Sequence, residues 1–234
     1  YDKPAKEIRA LLEKHGLKGI SAHVPLAAIE ADMDGVIADY HTAIGCEYIV
    51  VPYLDDLTRP GTPRFASVLN TIFRFGQKCQ AAGVTLLYHN HDFEFVTISG
   101  EYGLDFMYDA IPAELLQAEL DVCWIKYAGL NPVDYIKKYS GRVPVVHLKD
   151  YVGKKGDRPP YALIGIDAPA PGDGIPFRFT PFGYGSQDAK AIVEAGVEAG
   201  ARWFVVEQDE SVERPPLEAA RMSIDTLKKI GLKG

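Results

Sequence analysis

From Asp188 to Glu207 the chain reads DAKAIVEAGVEAGARWFVVE. Residues 188–199 carry apolar side chains at helical spacing, Gly200 stands where a helix C-cap is expected, and Arg202–Glu207 is a short β-rich run. The same unit of amphipathic helix, glycine and apolar run recurs along the chain. It appears as Lys6–His15, Gly16 and Gly19–Val24; as Val36–Ile44, Gly45 and Glu47–Tyr53; and as Phe65–Ala82, Gly83 and Val84–His89. It appears again as Pro132–Tyr139, Gly141 and Val143–Leu148. A further run, Leu115–Val122, follows a short helix near Tyr102–Ala110, and the last helix is Pro216–Ile230, closed by Gly231. Runs such as Tyr48-Ile49-Val50-Val51 and Trp203-Phe204-Val205-Val206 are continuously apolar rather than alternating. Strands covered on both faces read this way, and their alternation with helices means βαβ units and a parallel sheet.

Two architectures use such units, the open doubly wound sheet and the (β/α)₈ TIM barrel. The first is expected to carry a glycine-rich phosphate loop after its opening strand, and neither GxGxxG nor a P-loop occurs here. Polar residues instead stand at the C-terminal end of nearly every run, as in a barrel whose whole upper rim is a site. The expected fold is therefore α/β, a TIM-type parallel barrel in one domain spanning residues 1–234. Six runs are present where a closed barrel needs eight strands. The first two strands and first helix, roughly 40 residues, are expected to precede Tyr1.

Composition narrows the function. A net charge of −7 over 234 residues argues against a nucleic-acid partner, which needs a basic surface. No run of about 18 apolar residues suggests a membrane span. Cys46, Cys79 and Cys123 are odd in number, lack CxxC spacing and lie in apolar stretches. They read as buried thiols of a protein in a reducing cytoplasm. A homo-oligomer is left open.

The chemistry lies where the runs end. Residues 84–88 lead into His89-Asn90-His91-Asp92-Phe93-Glu94; Leu115–Leu120 ends at Asp121; Val143–Val146 ends at His147, followed by Lys149 and Asp150; Trp203–Val206 ends at Glu207; and the first run ends at His23. Carboxylates and an imidazole converging on one rim repel unless neutralised. A divalent cation would neutralise them, and Glu94, Asp121, His147 and Glu207 form an oxygen-rich set suited to Mn²⁺, Mg²⁺, Co²⁺ or Zn²⁺. Each has a plainer reading: Asp121 as a cap, His147 as a core histidine, Glu207 paired with Arg202 or Lys149, and Glu94 as a loop residue. His89 and His91 rival Glu94 as ligand or substrate contact, and Trp124 beside Asp121 is a further contact. His15 and His41 lie on helices and read as solvated or packed. Pro169–Gly174 reads as part of a long loop placed like a lid, and Phe182-Gly183-Tyr184-Gly185 as a segment whose glycines let the backbone approach a substrate.

These stretches, notably Tyr88–Phe95, Glu119–Trp124, Val146–Asp150, Pro181–Gly185 and Val205–Glu210, resemble the xylose isomerase-like TIM barrels of the sugar phosphate isomerase/epimerase group. The resemblance runs from about the first helix to the end of the chain. It implies a Glu–Asp–His–Glu metal site. Asp121, His147 and Glu207 match it directly; the first Glu belongs within a strand where this chain has Tyr88 or His89, and Glu94 is carried over by motif. It further implies a small sugar substrate, proton abstraction beside a carbonyl through an enediolate, Glu207 and Glu94 as base and acid, and His23 and Lys149 as hydroxyl or phosphate contacts. A metal-dependent lyase or dehydratase acting on a keto-sugar or inosose would share this site. An AP endonuclease is disfavoured by the charge, and a sugar-binding barrel without catalysis is the remaining alternative.

Overall fold

The computed structural model describes residues 3–32, 35–153 and 177–232. It divides into two compact units, Tyr1–Glu119 and Leu120–Gly234. The first contains α1 (Ala5–Lys14), β1 (Ser21–His23), α2 (Leu26–Ala31), α3 (Val36–Ile44), β2 (Tyr48–Val51), α4 (Phe65–Ala82), β3 (Thr85–His89), a 3₁₀ turn (Phe93–Phe95), a small hairpin of β4 (Thr97–Ile98) and β5 (Glu101–Tyr102), and α5 (Gly103–Ala110). It closes on β6 (Gln117–Asp121), whose last two residues open the second unit.

Helix α4 shows why this sequence folds as it does. Phe65, Val68, Ile72, Phe75 and Cys79 recur at helical spacing and all are buried. Gly76 lies on the same face, and a Cβ there would stand 2.4 Å from the carbonyl oxygen of Leu115, so only glycine permits that approach. The helix ends where Gly83 takes φ 78°, a left-handed conformation that a side chain disfavours.

The first unit's strands form a parallel ladder in the order β1, β2, β3, β6. The register pairs His23 with Val50, Val50 with Leu87, and His89 with Glu119. Partners in a ladder share a face and alternate residues along a strand share a face. His23, His89 and Glu119 therefore all project from one side. Ile49, Val51, Leu86 and Tyr88 project from the other and are fully buried or nearly so.

The second unit holds α6 (Val122–Tyr127), α7 (Pro132–Lys138), β7 (Val145–Leu148), an antiparallel pair of β8 (Asp150–Val152) and β9 (Arg178–Thr180), α8 (Ala189–Ala199), β10 (Trp203–Val206) and α9 (Pro216–Lys229). Strands β7 and β10 are parallel, with His147 opposite Val205 and Leu148 opposite Val206. Helix α8 covers the face that carries Phe204 and Val146: a Cβ on Gly196 would meet the Phe204 ring at 2.6 Å and Val146 at 3.6 Å. His147 and, one step past the strand end, Glu207 and Lys149 belong to the opposite face. The polar groups thus stand on the side of the sheet that helix α8 does not cover.

All six apolar runs form strands paired in parallel. The three cysteines are buried free thiols, and burial pushes the Cys79 thiol up to about 12. The Pro169–Gly174 loop lies outside the described residues. Among those described, no helix is long and apolar enough to cross a membrane.

Candidate functional site

In the second unit, Asp121 ends β6 and begins α6. Its Oδ1 accepts the backbone N–H groups of Cys123 at 2.7 Å and Trp124 at 3.1 Å, an N-cap, while Oδ2 faces the ammonium of Lys149 at 3.6 Å. The capping role and a ligand role are compatible, because they use different oxygens. His147, 4% exposed, points Nδ1 at Glu207 Oε2 across 3.3 Å. That same oxygen lies 2.6 Å from Lys149 Nζ, which also reaches Asp209 Oδ2 at 3.1 Å. The ammonium stands 5.4 Å over the Trp124 ring and 5.3 Å over that of Phe179. Ligand atoms of Asp121, His147 and Glu207 all lie within 4.8 Å of one another.

Three carboxylates, Asp121, Glu207 and Asp209, face the Lys149 ammonium here. Burial pushes the Asp121 carboxyl up to about 6, against the pull of Lys149 and His147. Burial also works against the charge on Lys149, but the Asp121, Glu207 and Asp209 carboxylates outweigh it and hold the pKa above the ordinary lysine value. Lys149 is thus held as a cation.

In the first unit, His23 Nε2 lies 2.8 Å and His89 Nδ1 3.3 Å from Glu119 Oε1. His91 packs edge-on to His89 and stacks on Phe93, with ring centroids 5.2 and 5.3 Å away. Glu94 stands in another setting from that expected for it. Its Oε1 accepts the Tyr88 hydroxyl at 2.5 Å and its Oε2 the His91 N–H at 2.8 Å, and it is fully buried. Tyr88 and His89 are neighbours on β3 and so face opposite ways. Glu94 bonds to the Tyr88 side chain, which leaves the face of His89.

Burial pushes the Glu94 carboxyl from an ordinary 4.5 up to about 8. The folded chain then keeps a proton that the unfolded chain releases. Stability contributed by Glu94 is complete below about pH 4.5 and is lost as pH rises toward 8. The expected slope approaches about 1.4 kcal/mol per pH unit. Glu94→Gln, neutral at every pH, should flatten it. Urea unfolding of both proteins at pH 5 and pH 8 measures this, and parallel pH dependence in the two would show that Glu94 is ionised in the fold.

The glycines of Phe182-Gly183-Tyr184-Gly185 approach a side chain of the protein itself. Asp150, 1% exposed, accepts five backbone N–H groups. Oδ1 takes Tyr151 at 2.8 Å, Ser186 at 2.9 Å and Gln187 at 3.1 Å, and Oδ2 takes Gly183 and Gly185, both at 3.0 Å. A Cβ on Gly185 would lie 2.3 Å from Asp150 Oδ1. The segment is wrapped around this carboxylate. Gln187 Nε2 then donates to the carbonyls of Val122 at 2.8 Å and Lys149 at 3.4 Å, which ties the wrapped segment to the backbone of the Lys149 strand end.

A model of the xylose isomerase-like TIM barrel family matches residues 1–230. The chain belongs to that family. Two solved structures similar to this xylose isomerase-like barrel are described as sugar phosphate isomerase/epimerase from Parabacteroides distasonis ATCC 8503. One is 19% identical with TM-score 0.75, over 97% of this chain and 76% of its own. The other is 21% identical with TM-score 0.75, over 97% and 82%. A xylose isomerase-like TIM barrel protein from Mycobacterium smegmatis in complex with magnesium is 14% identical with TM-score 0.68, over 98% and 78%. At these identities the likeness establishes the fold. No curated protein matches the chain.

Within this barrel, Asp121, His147, Glu207, Lys149 and Trp124 come together in one unit, and His23, His89 and His91 in the other. Glu119 and Asp150 were not assigned from sequence. Glu119 was within reach of it: it sits two residues before Asp121 on one strand, and strand period puts both on the same face.

Proposed function

We propose that this chain is a divalent-metal-dependent isomerase or epimerase of a sugar or sugar phosphate. The observation that carries the reading is the convergence of donor atoms of Asp121, His147 and Glu207 within 4.8 Å of one another, beside the Lys149 ammonium. That donor set of two carboxylates and one imidazole fits a hard or borderline dication. Asp121 Oδ2, His147 and Glu207 would hold it. When bound, the ion supplies Lewis-acid polarisation of a substrate carbonyl. Glu207, whose side chain is 32% exposed, takes the proton from the carbon beside that carbonyl. Lys149, held as an ammonium, faces the negative charge that develops on substrate oxygen, and Trp124 offers an apolar ring to the C–H face of the sugar. The names of similar structures support the substrate class and the metal: two are described as sugar phosphate isomerase/epimerase, one contains magnesium, and another, the IOLI protein, has a bound zinc atom.

The test is proton exchange in D₂O. Chelator-stripped protein, with and without Mn²⁺, Mg²⁺, Co²⁺ or Zn²⁺, is incubated with a panel of ketoses and sugar phosphates and followed by NMR. Metal-dependent deuteration beside the carbonyl with an isomeric product is the expected result. Elimination of water or of a glycosidic group would make it a lyase, and no exchange with any metal would overturn the reading.

A further inference from the structure

Lys149 lies between β7 and β8, and its side chain is 3% exposed. Three carboxylate oxygens surround its ammonium: Glu207 Oε2 at 2.6 Å, Asp209 Oδ2 at 3.1 Å and Asp121 Oδ2 at 3.6 Å. The Trp124 and Phe179 rings close its apolar side, 5.4 and 5.3 Å away. Asp121 and Glu207 are groups that would hold the divalent ion, whereas Asp209 contributes no atom to the donor group. Asp209 stands two residues past Glu207, beyond the end of β10, and its side chain is 16% exposed. That side chain bonds to Lys149 and has no other hydrogen-bond or ion-pair partner among the described residues.

We propose that Asp209 is a positioning residue: its carboxylate holds the Lys149 ammonium beside the substrate oxygen while a divalent ion occupies Asp121 and Glu207. The proposal rests on the metal-dependent reading of this site. An ion on those two carboxylates repels the ammonium and takes up the negative charge that had balanced it. An ammonium this deeply buried is costly without a partner. Of the three carboxylates around Lys149, Asp209 is the one that the ion leaves to it. Lysine carries its charge on a flexible four-carbon stem, so a dedicated partner decides where the ammonium stands. An ammonium has three N–H donors. One goes to Asp209, and others remain for a substrate oxygen. Negative charge grows on that oxygen as the proton leaves the neighbouring carbon, so the contact is worth most in the transition state.

Acetohydroxamate is the probe, a small anion with the paired oxygens of an enediolate. The full-length chain is stripped with chelator and saturated with Mn²⁺, with uptake read from the electron paramagnetic resonance of the free ion. Acetohydroxamate affinity is then measured by calorimetry. Asp209→Ala should weaken it at least tenfold, about the worth of one hydrogen bond to a charged group. Asp209→Glu, which keeps the charge, should restore most of the loss. Asp209→Asn keeps the shape without the charge, should weaken binding in the same direction, and serves where the alanine variant does not fold. Lys149→Met should show the loss already, and adding Asp209→Ala to it should weaken binding no further. Removing a carboxylate that merely stands nearby has the opposite sign, because it relieves repulsion of an anion and tightens binding. Unchanged or tighter binding in Asp209→Ala with Mn²⁺ bound would therefore overturn the proposal and leave the metal reading standing. So would a second loss of the same size in the Lys149→Met background. Absence of Mn²⁺ uptake by wild type would overturn the metal reading, and this proposal with it.

Discussion

Replacing Asp150 with alanine should destabilise the protein by on the order of 3–5 kcal/mol, because a buried charged acceptor is removed and several buried donors lose their partner. Five amides converge on its two oxygens; Gly183, Gly185 and Gln187 lie outside the strand ladders, while the Ser186 N–H also donates to the Tyr151 carbonyl at 2.9 Å. Leaving one buried donor unsatisfied costs about 1–3 kcal/mol, and water entering the vacated space offsets part of the sum. Asp150→Asn keeps the shape but turns an N–H₂ group toward amide donors, so it should recover only part of the loss. Gly185→Ala attacks the same contact from the other side: its Cβ would sit 2.3 Å from Asp150 Oδ1 and 2.5 Å from the Tyr151 carbonyl. Urea unfolding should show lower midpoints for all three variants with unchanged slopes. A midpoint for Asp150→Ala within about 1 kcal/mol of wild type would show that the segment holds its shape without the carboxylate.

Most of this scaffold was legible because its elements are long or punctuated. The helices 36–44 and 65–82 end at Gly45 and Gly83 as their spacing requires, and the two boundaries match the sequence reading residue for residue. The strands are shorter than the apolar runs that announced them, since apolar character continues past the last ladder bond: the run 47–53 yields β2 at 48–51. Helices α2 and α6 escaped notice. Each has six residues, too few for a period to emerge, and α6 is started by the capping oxygen of Asp121 rather than by any pattern of its own.

The candidate site was legible where a polar residue closes an apolar run, which is how Asp121, His147, Lys149 and Glu207 were found. Two kinds of residue escape that rule. Glu119 lies inside its run and is visible only once the strand's two-residue period is applied backward from Asp121. Asp150 follows a strand end like the others, yet its carboxylate is consumed by backbone amides from residues 30 and more positions away, a contact that spacing cannot announce. Glu94 is a different case. Its motif placed it at the metal, but the turn after β3 carries it to Tyr88, and whether a residue belongs with Tyr88 or with His89 decides which side of the sheet it serves.

Glu207→Gln should lower turnover of the proposed reaction by a factor of about 10²–10⁴, the usual worth of a general base. The substitution keeps the shape and an oxygen that can still accept from Lys149, now 2.6 Å from Oε2. Metal affinity should therefore fall less than turnover does, with Asp121 and His147 still in place. Asp121→Asn separates the two roles. Its remaining oxygen can keep the N-cap bonds to Cys123 and Trp124, at 2.7 and 3.1 Å, while the group turned toward Lys149 becomes an amide that neither ligates well nor offsets the ammonium. Its defect should appear as a higher metal requirement that excess metal partly restores. Turnover measured against metal concentration for both variants reads the difference directly: a curve shifted along the metal axis marks a ligand, and a lowered plateau marks a base. If saturating metal returns Glu207→Gln to the wild-type plateau, Glu207 holds the ion only, and the proton is taken by another group.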